Sequence, residues 1–199
     1  MKRIIVLLIA VMVLGFTVTA YSSLTIVGTD FRGNSLIYDS ALNITWYDSA
    51  GGYKTWQKQA DWTLGLTMTH DNNTYEEWRL PSTINGRAMS PGYNSAGSEM
   101  GHLYYRTLGN TDWGLTNSGP FQHLAPSGYW SGADASSAAA AWYFYFNDGY
   151  QNENGKGASY RALAVHDGLV LPIPGTMALF GSGLAGVAAW ARMYRRRQE

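Results

Sequence analysis

The sequence predicts an α+β fold: a single domain of short antiparallel strands with two helices and long loops. Aromatic residues alternate with a period of two over 141–146, which is typical of a half-buried strand. Two stretches, 55–65 and 98–109, space their apolar residues as amphipathic helices do. Glycine, asparagine and serine are frequent between these stretches, which indicates turns and loops. The two ends differ in composition from this part, so we assign the domain to residues 21–168.

The first part of the domain predicts three strands. Short β-prone runs lie at 24–27, 35–38 and 43–47. A turn at 32–34, with the sequence Arg-Gly-Asn, separates the first two runs. Ile44 and Trp46 fall on one face of the third run, because successive strand side chains point in opposite directions.

Two helices are predicted from their apolar spacing and end signals. Thr55 is a candidate N-cap for the first helix and Gly65 marks its end, with an apolar stripe formed by Trp56, Ala60 and Leu64. Gln57, Lys58 and Asp61 are expected to face solvent. The second helix covers 98–108 and stops at Gly109, with a stripe formed by Met100, Leu103, Tyr104 and Leu108. Polar loops are expected at 70–77, 82–97 and 110–127.

The late part of the domain predicts an aromatic hairpin that begins after residues 129–132. Trp142, Phe144 and Phe146 point to one face of its strand, and Tyr143 and Tyr145 to the other. Asp148-Gly149 follows as a turn. A second turn cluster at 152–157 then separates this hairpin from an alternating run at 160–165, which we expect to close the same sheet.

Charge and cysteine content exclude several classes of function. Residues 21–170 contain eight basic and thirteen acidic side chains, a net charge of −5, and the remaining basic residues lie near the termini. An acidic domain argues against nucleic-acid binding, which requires a basic face. The chain has no cysteine, which excludes disulfides, a cysteine nucleophile and thiolate metal ligands.

Residues 1–20 have the pattern of a signal peptide. Lys2 and Arg3 precede an apolar run, and Val18-Thr19-Ala20 fits a signal-peptidase site. We therefore expect cleavage after Ala20 and a mature chain that begins at Tyr21. An uncleaved N-terminal anchor is the alternative.

Residues 169–199 predict a second targeting segment. A proline pair, a glycine-containing apolar stretch and a terminal arginine cluster follow one another: Pro172 and Pro174, Gly181 and Gly183, then Arg195, Arg196 and Arg197. This tail resembles the PEP-CTERM sorting signal, although Ile173 stands where the glutamate of that family would be. The resemblance implies export in a Gram-negative-type bacterium and retention at the inner membrane by a short transmembrane helix. It also implies processing by an exosortase-type sorting protease and a final place at the cell surface or in the extracellular matrix. An ordinary single-pass anchor is the alternative.

The domain itself resembles the Lcl-C-like family, named after the C-terminal domain of collagen-like adhesins. The resemblance rests on segments that occur in one order: 36–48, 55–56, 76–81, 98–105, 128–132, 141–151 and 159–165. It implies a fold related to C-type-lectin-like and formylglycine-generating-enzyme-like domains. It implies no established activity, but the adhesin relatives suggest binding to polysaccharides.

Residues that carry catalysis or bind metals form no recognisable pattern. The histidines are scattered, at positions 70, 102, 123 and 166. The segment 71–76 offers oxygen ligands for Ca²⁺ but departs from the EF-hand pattern, and Asn147, Asp148 and Glu153 are a second calcium alternative. Paired carboxylates among Glu76, Glu77 and Glu99 stay open, because their separation is spatial. We therefore predict no catalytic residue, no metal and no cofactor.

Aromatic and amide side chains are the remaining candidates for a binding site. Aromatic rings stack on the apolar faces of sugars while amides and carboxylates bind hydroxyl groups, which favours a glycan site at Tyr143, Tyr145, Asn147, Asp148, Tyr150 and Asn152. The alternative is that the tyrosines form a second packed face. Four tryptophans are expected in the core, namely Trp46, Trp78, Trp130 and Trp142, and Arg79 and Arg161 are expected to have structural roles.

These observations predict an exported, non-catalytic protein that binds exopolysaccharide or another surface glycan. Its partners would be signal peptidase, the sorting protease, the membrane through its tail, and polysaccharide. A structural surface protein that acts by self-association is the alternative, and an enzyme is a third.

Overall fold

The computed structural model describes residues 24–49, 51–70, 73–83 and 90–170. These residues form antiparallel sheets and two helices, which confirms the predicted α+β class. The predicted signal peptide, and the sorting tail beyond residue 170, lie outside the described residues. Within the described part of the chain, no helix is long and apolar enough to cross a membrane.

The first sheet has four strands in the order β1-β2-β3-β9. They are β1 (Leu24–Thr29), β2 (Ser35–Asp39), β3 (Ile44–Asp48) and β9 (Ala164–Asp167). The first three confirm the predicted strands. The run at 160–165 was expected to close the aromatic sheet, and this was right only for its start, where Arg161 forms a parallel bridge to Tyr129. It was wrong for the end of the run, which begins β9. This strand pairs with β3 instead, where Val165 lies opposite Trp46 and both side chains are fully buried.

A three-stranded sheet with the order β6-β7-β8 carries the aromatic hairpin. It consists of β6 (Gly128–Asp134), β7 (Ala140–Tyr145) and β8 (Gln151–Gly155). The second turn cluster predicted at 152–157 was wrong for its first four residues, which pair with β7. This strand lies at the edge of the sheet, where polar residues such as Asn152 are accommodated without full burial.

The helix α1 (Trp56–Leu64) begins after Thr55 and ends at Gly65, as predicted. Its predicted apolar stripe is confirmed for Trp56 and Ala60, which pack half-buried against a core cluster. It was wrong for Leu64, which is 70% exposed, while the polar residues Gln59 and Thr63 are buried. The Gln59 amide nitrogen donates to the carbonyls of Gly52 and Tyr160, and a polar group with such partners tolerates burial.

The helix α2 (Glu99–His102) continues directly into a π-helical turn, Leu103–Thr107. Ser98 caps it by accepting a hydrogen bond from the Gly101 N–H, and Gly109 ends the segment with a φ of 69°. The predicted stripe is confirmed: all four of its members are buried in the main core.

Two short paired strands, β4 (Met68–His70) and β5 (Asn73–Tyr75), include residues 70 and 73–75 of the loop predicted at 70–77. Met68 is buried, and the half-buried Tyr75 packs against the same core cluster. Packing of these two side chains against the core attaches the short strands to the rest of the domain.

The main core lies between the first sheet, the second helix and the aromatic sheet. It contains Ile37, Trp46, Leu103, Phe144 and Val165 among its buried members. The four tryptophans predicted to be core residues are confirmed, with exposures of 0% for Trp46, Trp78 and Trp130 and 4% for Trp142.

Candidate functional site

The tip of the aromatic hairpin is a tight turn that follows β7. The Gly149 N–H donates to the Tyr145 carbonyl at 2.8 Å, and the positive φ of 81° at Gly149 closes the turn. The Asp148 carboxylate accepts the Tyr150 N–H at 3.0 Å. Asn147 is exposed and Asp148 half-buried, so the turn presents an amide and a carboxylate to solvent.

The segment 91–93 lies against this hairpin. Gly92 and Gln151 exchange two backbone hydrogen bonds of 2.9 Å each. This pairing places Tyr93 beside Tyr150, with ring centroids 4.9 Å apart and ring planes at 63°. Tyr93 is 48% exposed, so the pair forms an accessible edge-to-face aromatic group.

A second turn, residues 111–114, lies beside the hairpin tip and carries Trp113. Thr111 and Gly114 form an isolated bridge, and the buried Tyr104 hydroxyl donates to the Thr111 carbonyl at 2.7 Å. The side chain of Asn110 holds the loop that follows, through bonds to residues 116 and 117. Trp113 is 93% exposed on this fixed turn. Both faces of the indole are therefore accessible to a ligand.

The two turns are adjacent. A methyl group at Gly114 would lie 3.9 Å from the Asn147 carbonyl oxygen. We call the group formed here the hairpin-tip surface; it consists of Tyr93, Asp112, Trp113, Asn147, Asp148 and Tyr150.

The hairpin-tip surface is acidic. Partial burial raises the pKa of Tyr93, and the charges of Asp148 and Asp112 raise it further. Burial also raises the pKa of Tyr105, whose hydroxyl donates to the Gly149 carbonyl at 2.9 Å. The Tyr93 phenol therefore stays protonated and able to donate a hydrogen bond. Asp112 and Asp148 form no ion pair with any cation that the structure describes.

The structure brings together three of the six predicted site residues at this surface: Asn147, Asp148 and Tyr150. Tyr143, Tyr145 and Asn152 lie on the neighbouring strand face instead. Tyr143 is 7% exposed and stacks on Tyr160 with centroids 4.6 Å apart and planes at 28°. Burial, followed by the neighbouring Tyr160, raises the pKa of Tyr143 to about 12. Tyr143 therefore supports the sheet face, while Tyr145 and Asn152 are half-buried at its surface.

Sequence reasoning missed Tyr93, Asp112 and Trp113. They belong to segments that the sequence assigns to loops, and their proximity to the hairpin is a tertiary contact. One local signal was available: Trp113 lies between Asp112 and Gly114, two residues typical of turns.

The other candidates for chemistry have structural partners. Arg79 forms a two-pronged salt bridge with Glu99, at 2.8 and 2.9 Å, and Arg161 donates to the Gly51 carbonyl and covers the Tyr53 ring. The structural roles predicted for both arginines are confirmed. Glu153 accepts hydrogen bonds from the Ser136 N–H and hydroxyl. Among the described residues, no group of three His, Asp or Glu side chains is placed to hold a metal ion.

Two carboxylates considered for hydrolysis lie at another cleft, of about 470 Å³. Its walls are formed by Thr74, Tyr75, Glu76, Glu77 and His166. The third carboxylate, Glu99, is 7% exposed and engaged with Arg79, which leaves it unable to approach this cleft as a free base.

Comparisons with protein-family models and with curated proteins find no match to this chain.

Proposed function

We propose that the protein is an exported, non-catalytic component of the cell envelope or extracellular matrix that binds exopolysaccharide through the hairpin-tip surface. The observation that carries the proposal is Trp113, which is 93% exposed on a turn fixed at both ends. An indole presented in this way offers a flat face for the apolar side of a pyranose ring.

The neighbours of Trp113 supply the polar part of such a site. Asn147 offers an amide, and Asp112 and Asp148 offer carboxylate oxygens that accept hydrogen bonds from sugar hydroxyls. Tyr93 and Tyr150 add a second aromatic group at the same surface. Binding along a chain of sugar rings suits a shallow, extended surface of this kind better than a single small ligand.

The location of the protein in the cell is part of the same proposal. The signal-peptide pattern and the PEP-CTERM-like tail support export and retention at the membrane, followed by processing by an exosortase-type protease. The α+β fold is compatible with the C-type-lectin-like architecture that the Lcl-C-like resemblance implies. Mass spectrometry of the protein from its producing cells tests the proposed export and processing. We expect an N-terminus at Tyr21 and a chain that ends near the Pro172–Pro174 segment. A full-length chain recovered from the cytosol would contradict this.

Binding is tested with the full-length protein on a glycan array and by isothermal titration calorimetry with the exopolysaccharide of the producing cells. We expect Trp113→Ala and Tyr150→Ala each to weaken binding by about tenfold or more, equivalent to ~1.4 kcal/mol. Leu64→Ala is the control, because Leu64 is an apolar residue that is 70% exposed on α1, away from the hairpin-tip surface. Failure of the parent to bind any glycan would remove the proposal, as would equal losses for all three variants.

Self-association is a second candidate, favoured by the edge strand β1. Ile26 is 50% exposed on this strand, which forms the outer edge of the four-stranded sheet. An exposed edge with an apolar side chain is a template for pairing with another strand. Sedimentation of the parent and of Ile26→Lys tests this: a concentration-dependent oligomer that the substitution dissolves would favour self-association, and a parent that stays monomeric would exclude it.

A further inference from the structure

A pocket of about 340 Å³ lies on a different part of the molecule from the hairpin tip. It is formed by the turn after β1, the end of β3, the segment 51–54 and the first helix. Its walls consist of Arg32, Asn34, Tyr47, Ser49, Gly51, Lys54, Gln59, Trp62 and Leu66. We call it the α1 pocket. Its volume is within the range of small-ligand sites, which begins at about 300 Å³.

One wall of the α1 pocket is aromatic and rigid. The rings of Tyr47 and Trp62 lie 6.4 Å apart with their planes at 31°, and Trp78 packs edge-on behind Tyr47 at 6.0 Å. The Tyr47 hydroxyl donates to Asp30 at 2.7 Å and accepts from the Asn34 amide at 2.9 Å. The hydroxyl cannot turn without breaking both bonds, so this wall is set before any ligand arrives.

The polar side chains of Gln59 and Ser49 form another part of the lining. Gln59 is 2% exposed, and its amide nitrogen donates to two backbone carbonyls. Its carbonyl oxygen accepts no hydrogen bond from the described residues, although the side chain lines the pocket. The Ser49 hydroxyl is buried in the same wall and also has no partner among them. Leaving the buried Ser49 hydroxyl unpaired costs about 1 to 3 kcal/mol, and a ligand with hydroxyl groups would recover part of this.

The rim of the pocket is positive, in contrast to the net acidity of the domain. Arg32 and Lys54 both line it, and neither forms an ion pair with a carboxylate that the structure describes. The nearest carboxylate on the same turn is Asp30, whose oxygens accept four hydrogen bonds, from Arg32 N–H, Asn34 N–H, the Asn34 amide and Tyr47. These bonds hold the Asp30 carboxylate within the turn, and the Arg32 guanidinium lies 5.0 Å from the centroid of the Phe31 ring.

We propose that the α1 pocket binds a carboxylate-bearing sugar, a uronate, as a site separate from the hairpin-tip surface. The aromatic wall would receive the apolar face of the pyranose ring. The Gln59 carbonyl and the Ser49 hydroxyl would bind its hydroxyl groups, and Arg32 and Lys54 would bind its carboxylate. The site stands on its own geometry and does not require that the hairpin tip binds glycan.

Glucuronate and glucose form a matched pair of probes, because they differ only in the carboxylate at C6. Each is titrated into the full-length protein and followed by saturation-transfer and chemical-shift NMR. We expect glucuronate to bind about tenfold or more tightly than glucose, as a charge-assisted contact implies. Arg32→Gln and Lys54→Gln should each reduce that preference, and the double variant should abolish it. Lys58→Gln should retain the preference for glucuronate, because Lys58 is exposed on α1 and does not line the pocket.

The outcomes separate this site from the proposed function. Trp113→Ala should leave the glucuronate titration unchanged, so loss of polysaccharide binding at the hairpin tip alone would not affect it. Equal affinity for glucuronate and glucose would overturn the inference. So would a preference that survives in the double variant, or inorganic phosphate binding as tightly as glucuronate, which would show that the pocket responds to charge without recognising the sugar.

Discussion

Replacement of Gly149 by alanine tests whether the hairpin tip has the conformation on which the site depends. The φ of 81° places this residue in the left-handed region, which costs an L-amino acid about 1 to 2 kcal/mol. The added methyl group would also collide with the Tyr105 hydroxyl and lie 2.8 Å from a ring carbon of Tyr104. Relief of such a clash in a packed region costs about 1 to 3 kcal/mol more. We therefore expect Gly149→Ala to lower the free energy of unfolding by about 2 to 5 kcal/mol.

Urea denaturation of the full-length protein, followed by tryptophan fluorescence, measures this change. Gly155→Ala is the matched control, because Gly155 lies in β8 without a positive φ and a methyl group there would meet no atom within 4 Å. We expect the control to change stability by less than about 0.5 kcal/mol. A Gly149→Ala variant as stable as the parent would refute the turn geometry, and with it the placement of Asn147 and Asp148.

Four further substitutions test the contributions of individual side chains to stability. Arg79→Ala should destabilise the protein by about 2 kcal/mol in the same denaturation experiment, because it leaves the buried Glu99 carboxylate without its two-pronged partner. Asp134→Asn removes an exposed ion pair with Lys156 and should lower the free energy of unfolding by less than about 1 kcal/mol. Burial, and then the hydrogen bond to Asp30, raise the pKa of Tyr47 to about 12, so its contribution to stability is complete below pH 10 and is lost as the pH rises towards 12. Tyr47→Phe should flatten the stability profile in that alkaline range, and an unchanged profile would contradict the assignment. Burial raises the pKa of Asp30, but the hydrogen bonds from Tyr47, Asn34 and Arg32 outweigh this effect and lower the pKa below the ordinary value of 3.8. The contribution of Asp30 to stability is therefore lost as the pH falls through the acid range. Asp30→Asn should make the stability of the protein less sensitive to acid.

The sequence predicts the elements whose signal is local. The alternation from Trp142 to Phe146 fixes both the strand and its two faces, and the spacing from Met100 to Leu108 fixes the buried side of the second helix. Turn residues with a positive φ, such as Gly109 and Gly149, appear where glycine is required. These features depend on neighbours within a few residues, which is why periodicity alone is enough.

Elements whose position depends on distant partners were predicted less well. The first helix buries Gln59 because carbonyls at positions 52 and 160 accept its amide protons, and no local pattern indicates them. The polar strand β8 exists because it pairs with β7, in spite of a composition typical of turns. The last strand joins the first sheet through a pairing between residues more than 100 positions apart, such as Trp46 and Val165.

The candidate site shows the same division. Asn147, Asp148 and Tyr150 were predicted because the hairpin that carries them is a local structure. Tyr93 and Trp113 come from separate loops and reach the hairpin through contacts that only the fold provides, namely the Gly92–Gln151 pairing and the turn held by Tyr104. Tyr143 faces the predicted side of its strand, but Tyr160 covers its ring.

Quenching of Trp113 fluorescence during binding tests the central claim most directly. The Trp113 contribution is obtained as the difference between the parent and Trp113→Phe, with acrylamide as the quencher. We predict that this contribution is readily quenched in the free protein and becomes protected when the exopolysaccharide is added. A Trp113 signal that stays fully accessible while the polysaccharide is bound would show that the hairpin tip does not make the contact.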